Sequence, residues 1–179
     1  IDDFKKALAQ SIDSVKDAGF ASAPRILVGA EVLLCENLSE MDGLSELCIN
    51  GTKAILLELP MSSLKEGHFD AVEEMLANEF TVILAHVDRY LRICPRDLDA
   101  LRDMGVLMQV NASALTPLSI HGRLKRYINE GAVCALGSDL HGANPTDYKR
   151  FERAPLVLKK HYTNVMQASE KILENAISI

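Results

Sequence analysis

The sequence has no apolar run approaching the length of a membrane span, and its start does not read as a signal peptide. Those absences lead us to expect a cytoplasmic protein without membrane insertion. Basic residues are not in excess. The 19 Lys and Arg against 25 Asp and Glu leave a formal charge of −6, which argues against a nucleic-acid partner. The four cysteines, Cys35, Cys48, Cys94 and Cys134, are scattered without a C-x-x-C pair and read as reduced thiols, several in or beside apolar strands. No Cys-x5-Arg loop is present to cradle a phosphate, so a covalent cysteine intermediate is not expected. With no Gly/Ser linker, low-complexity tract or shift in composition, residues 1–179 read as one domain.

What is present is a chain 48% hydrophobic and 25% charged, enough for a proper core. Asp2 or Asp3 can cap a helix whose face is Phe4, Leu8, Ile12 and Val15, with Gly19 ending it. Ile1 falls inside that helical pattern, so an upstream segment is expected. Apolar runs at 25–32, 53–60, 81–86, 106–111 and 132–138 read as buried strands. Residues 33–52 read as a long connection with a short helical piece. Helices are expected at 67–79, 97–104, 118–129, 150–161 and 164–176, with Gly105 and Gly131 closing the second and third.

The spacing is regular where the residues are not. Strand ends near 31, 58, 86, 111 and 139 lie 27, 28, 25 and 28 residues apart, the length of a strand plus a returning helix. Such alternation implies an α/β fold with a parallel sheet covered by helices, either a barrel or an open sheet. In both, ligand-binding groups collect at the carboxyl ends of the strands. Each of the five ends here carries a polar or ionisable residue: Glu31, Glu58, His86, Asn111 (with Gln109), and Asp139 with His141.

Asp139 and His141 stand two apart, so in extended chain both side chains point to one side and form half of a cation site. Alone, such a pair is more often a turn whose Asp bonds its own backbone. Glu31 by itself suits a cap or a supporting role as well as ligation. With Glu31, His86, Asp139 and His141 in one mouth, however, the carboxylates would repel unless a divalent cation joined them. Two carboxylates and two imidazoles without a thiolate suit zinc, manganese or iron. Metal-assisted hydrolysis of a phosphoester is the natural reaction class. Arg89 reads equally as a fork for phosphate oxygens or as a surface partner of Asp88. Glu58, Gln109 and Asn111 are expected to hydrogen-bond at the mouth, and His68, His121 and His161 to be solvated.

The segments Gly-Ala-Glu31-Val, Leu-Leu-Glu58-Leu-Pro60, Ala-His86-Val-Asp-Arg89-Tyr, Gln109-Val-Asn111 and Ser-Asp139-Leu-His141 resemble, in this order, the PHP (polymerase and histidinol phosphatase) superfamily. They are most similar to its bacterial protein-tyrosine phosphatases of capsular and extracellular polysaccharide biosynthesis. The resemblance implies a distorted seven-stranded TIM-like β/α barrel with a cluster of divalent metals, commonly manganese. It implies action on the phosphotyrosine tail of a bacterial tyrosine kinase. By the same resemblance Glu31, His86, Asp139 and His141 would be metal ligands, and Arg89 would be the catalytic, substrate-binding contact to phosphate.

The family's opening His-x-His strand and its Thr-Pro-His strand have no counterpart in this sequence, so the barrel is expected to lack its first strands. The edges thereby exposed lead us to expect either a homo-oligomer or an upstream segment that covers them. The arginine that relatives often carry past Ser-Asp-x-His is also missing from Asn144-Pro145-Thr146-Asp147, leaving Lys149 or Arg150 to replace it. A small-molecule phosphatase of the histidinol-phosphate type, or a non-catalytic binding fold, are the alternative expectations.

Overall fold

A computed structural model describes residues 27–115, 120–139 and 145–158 continuously, with scattered residues before 27 and between 161 and 170. Five strands form one parallel sheet: β1 (Glu31–Leu33), β2 (Ala54–Glu58), β3 (Thr81–Leu84), β4 (Leu107–Asn111) and β5 (Val133–Gly137). Their spatial order is β1-β2-β3-β4-β5, the order of the sequence. A doubly wound sheet would reverse direction at a switch point. This one does not: each strand lies beside the one before it in the sequence.

The helices follow the strands: α1 (Glu66–Ala77), α2 (Pro95–Asp103), α3 (Gly122–Asn129) and α4 (Pro145–Leu158). Pro95 and Pro145 each begin a helix, where a missing N–H costs nothing. Gly105 and Gly131 follow α2 and α3 with φ of 97° and 77°, conformations that a side chain would resist. Aliphatic side chains and methionines from the sheet (Ile55, Leu57, Val82, Leu84, Met108, Val110) and from the helices (Val72, Met75, Leu98, Leu101, Leu124) form one buried cluster. Both faces of the inner strands are covered, which explains why they read as unbroken apolar runs.

Several expectations are corrected. The first strand is short and late: residues 27–30 lie outside the sheet, and Glu31 opens β1 rather than ending it. Val28 and Ala30 bond instead to the following connection, through Asn50 N–H to Val28 O at 2.6 Å and Ala30 N–H to Leu47 O at 2.9 Å. That connection holds three 3-10 turns, Leu38–Glu40, Leu44–Leu47 and Ile49–Gly51. Their buried Leu38, Leu44 and Leu47 explain why a polar stretch nonetheless folds against the core.

His68 is buried rather than solvated. Its Nδ1 accepts the Lys65 backbone N–H at 3.0 Å, which closes the first turn of α1. Helix α4 starts five residues before its expected boundary and carries Pro155 inside it. Of the expected last helix, 164–176, the described residues 164–168 and 170 are helical. The expected helical face at Phe4, Leu8, Ile12 and Val15 lies outside the described residues, as does Leu118. Among the described residues no helix is long and apolar enough to cross a membrane.

Candidate metal and phosphate site

The site begins where β3 ends. Ala85 still bonds to the sheet, its N–H donating to Leu57 O at 2.8 Å, and the chain then turns away at His86. His86 has φ 33° and ψ 51°, a left-handed conformation that is uncommon outside glycine and concentrates at functional sites. Two bonds hold the bend. The His86 N–H donates to Gln109 Oε1, and its carbonyl accepts the Arg89 N–H at 2.9 Å. The 3-10 turn that follows, Val87–Tyr90, is anchored by the fully buried Val87 and Tyr90. Burial pushes the Tyr90 hydroxyl up to about 12, and the Glu58 carboxylate adds to the shift.

The imidazole thus points across the strand ends. His86 Nε2 lies 2.7 Å from Glu31 Oε1 and 3.6 Å from Glu58 Oε1. One ligand atom from each of Glu31, Glu58 and His86 lies within 4.8 Å of the others. The His86 side chain is only 3% exposed, against 40% for Glu31 and 37% for Glu58, so the two carboxylates face solvent over a buried ring. His86 Nδ1 is buried without a hydrogen-bond partner among the described residues.

Arg89 connects this group to β5. Its Nη1 stands 3.8 Å from Glu58 Oε1, and its Nη2 donates to Asp139 Oδ2. Asp139 itself has φ 51° and accepts Asn111 Nδ2 at 3.2 Å. Asn111 Oδ1 accepts Gln109 Nε2 at 3.2 Å, and Gln109 returns to the His86 backbone. Gln109 and Asn111 reach the same side because they are two apart on β4. Strand β5 makes room for them at Gly137, where a Cβ would stand 1.8 Å from Gln109 Nε2. Asp88 turns inward, accepting the Asn111 N–H at 2.8 Å, and its burial raises its carboxyl.

The sequence-predicted residues therefore fall into three groups. Glu31 and His86 meet directly, even though Glu31 opens its strand. Asp139 is drawn to Arg89 and Asn111, on the other arm of the guanidinium from Glu58. His141 lies outside the described residues. The surface partnership of Arg89 with Asp88 is not formed, because Asp88 is committed to β4. Glu58, expected only to hydrogen-bond, stands with Glu31 and His86. Its signal in the sequence was its position as the last residue of a strand, in register with the other ends.

The chemistry of the donors fits a divalent cation. Glu31, Glu58 and Asp139 set three carboxylates against a single guanidinium, and the His86 imidazole adds a nitrogen ligand among them. Cys48, Cys94 and Cys134 do not suit a thiolate nucleophile: burial pushes Cys48 and Cys94 up to about 11 and Cys134 to about 12.

The tyrosine-protein phosphatases CpsB of Streptococcus agalactiae serotype V and serotype III are each 24% identical to this chain over 166 residues, spanning 87% of it and 68% of their own length. A solved structure, from work titled "Crystal structures of YwqE from Bacillus subtilis and CpsB from Streptococcus pneumoniae, unique metal-dependent tyrosine phosphatases", shares the fold. It matches with a TM-score of 0.65 at 21% identity, over 86% of this chain and 63% of that one. The family model described as capsular polysaccharide synthesis, CpsB/CapC, matches residues 3–179. A match of that extent places the chain in the CpsB/CapC family of capsular polysaccharide synthesis.

Proposed function

We propose that this chain is a divalent-metal-dependent phosphatase acting on phosphotyrosine, as the relatives' names describe for them. The observation that carries the reading is the convergence of Glu31, Glu58 and His86 ligand atoms within 4.8 Å, beside the Arg89 guanidinium. Glu31, Glu58 and His86 would hold a cation, with Asp139 and His141 contributing further ligands. Manganese is favoured for an oxygen-rich set with imidazole, and zinc or iron also fit. Such a cation, when bound, supplies Lewis acidity and charge neutralisation to phosphoester hydrolysis.

The chain's own residues do the rest. Arg89 presents a two-pronged fork to two phosphate oxygens, exchanging carboxylate partners for the substrate. Asn111 holds the Asp139 carboxylate at the mouth once Arg89 releases it. Gln109 holds the His86 backbone so that the imidazole is fixed before substrate arrives. Water enters the products as the phosphoester is cleaved, and phosphate and the tyrosine hydroxyl leave.

The substrate in this reading is the phosphorylated tyrosine-rich tail of a kinase of polysaccharide assembly, met in the cytoplasm. Residues 1–179 act as one domain of a seven-stranded barrel. Support comes from the sequential strand order, which two further strands between β5 and β1 would close. The test is metal content together with turnover of p-nitrophenyl phosphate and a phosphotyrosyl peptide, with and without manganese. Metal uptake with manganese-dependent turnover is expected. A protein that takes up no metal and cleaves neither substrate refutes the reading.

A further inference from the structure

Beside Arg89 lies a cleft of about 520 Å³ that the site described above does not use. Its lining includes the apolar Leu91, Ala114, Ile120 and Leu124 and the polar Asp88, Arg89, Arg92 and His121. Leu91 and Leu124 are buried and Ile120 half-buried, giving an apolar floor, while Arg92 and His121 are exposed. Arg92 lies just past the 3-10 turn Val87–Tyr90 that carries Arg89, and both residues line the cleft.

The two arginines differ in one respect. Arg89 is paired with Asp139 and Glu58, and Arg102, Arg123 and Arg126 also pair with carboxylates. Arg92 has no such partner among the described residues. His121 Nδ1 accepts the Arg123 N–H at 3.3 Å, leaving Nε2 for a ligand. Asp88 is turned inward to the Asn111 N–H and Arg89 is shared with Glu58 and Asp139, so Arg92 is the charge this mouth offers an anion.

We propose that this cleft seats an anionic side chain flanking the phosphotyrosine of the substrate, with Arg92 as the residue that selects it. The apolar floor takes the stem of that side chain and Arg92 takes its charged head. The inference rests on the phosphatase reading, since Arg89 is its shared wall with the phosphate site. A carboxylate and a second phosphate present the same chemistry, and the experiment separates them.

Four labelled peptides carrying a non-hydrolysable phosphonate in place of phosphotyrosine, flanked by Ala, Glu, phosphoserine or Lys, are titrated by fluorescence anisotropy in the presence of manganese. Wild type is expected to prefer the Glu flank to Ala by about fivefold, the upper end for an exposed ion pair. A larger preference for phosphoserine identifies a second phosphate as the ligand, and preference for Glu identifies a carboxylate. The Arg92→Ala variant levels the Glu and Ala flanks, and Arg92→Glu turns the preference towards Lys. Equal binding of all flanks by wild type, or an acidic preference that survives Arg92→Glu, overturns the assignment of the cleft alone. Failure of wild type to bind any of the phosphonate peptides overturns the phosphatase reading and this inference with it.

Discussion

Replacing Gly137 with alanine tests whether the site is held by the side chains of β4. The added Cβ would stand 1.8 Å from Gln109 Nε2, 2.8 Å from Gln109 Cδ and 3.2 Å from Asn111 Oδ1. Gly137 does not have a positive φ, so the backbone itself accepts alanine. The atom in the way is the end of a flexible side chain, so the sheet survives and Gln109 swings aside. Its Oε1 then leaves the His86 N–H, a donor on a residue 2% exposed and already in a left-handed conformation. An unpaired buried donor costs about 1–3 kcal/mol. Restricting the unfolded chain at a former glycine returns about 0.4–1 kcal/mol.

The net loss of about 1–2 kcal/mol corresponds to a Tm lower by roughly 2–8 °C for a chain of this size. Metal retention should fall as His86 loses its support. A double-mutant cycle isolates the cause. With Gln109→Ala in place, the bond and the obstruction are both gone, and adding Gly137→Ala should become neutral or stabilising by up to about 1 kcal/mol. The measurements are thermal unfolding of the four proteins and manganese stoichiometry by elemental analysis. A Gly137→Ala protein with wild-type Tm and full metal, or the same penalty in both backgrounds, refutes the reasoning.

Glu58→Gln keeps the shape of the side chain but removes the charge of one of three close ligands, so metal affinity should drop about tenfold in a manganese titration while Tm without metal changes little. Arg89→Lys should raise KM for a phosphotyrosyl peptide with metal content unchanged, because a point charge cannot supply two parallel bonds. Asp99, on α2, bonds across to α3, accepting the Tyr127 hydroxyl at 2.6 Å and pairing with Arg123 and Arg126. Asp99→Ala leaves the buried Tyr127 hydroxyl without that acceptor and should lower stability by about 1–3 kcal/mol in urea unfolding without altering metal content. Burial pushes the Asp99 carboxyl up, but the Tyr127 hydroxyl and the Arg123 and Arg126 guanidinia hold it below its ordinary 3.8. Its contribution is therefore complete above that value and lost as the pH falls through the folded one, so wild type and Asp99→Asn should converge in stability in strong acid.

The repeat of apolar runs and polar strand ends was legible because burial on both faces of a parallel sheet dictates residue type at every position of a strand. From it followed the α/β class, the four strands β2 to β5 and the convergence of residues as distant as Glu31 and His86. The first strand was misplaced because residues 27–30 are as apolar as a strand, and only pairing with the 47–50 segment takes them out of the sheet. His68 was misread because a histidine that caps its own helix cannot be told by spacing from one facing water.

Sequence by itself determined which chemical groups are available at the strand ends, since order and spacing alone bring them to one side of the sheet. Tertiary structure alone decided how they are shared: Glu58 with the imidazole, Asp139 with Arg89, and Asp88 turned inward to Asn111. The reason is physical. A carboxylate's partner is set by distances of a few ångströms and by which donors burial has left unpaired, and neither quantity is written along a single chain.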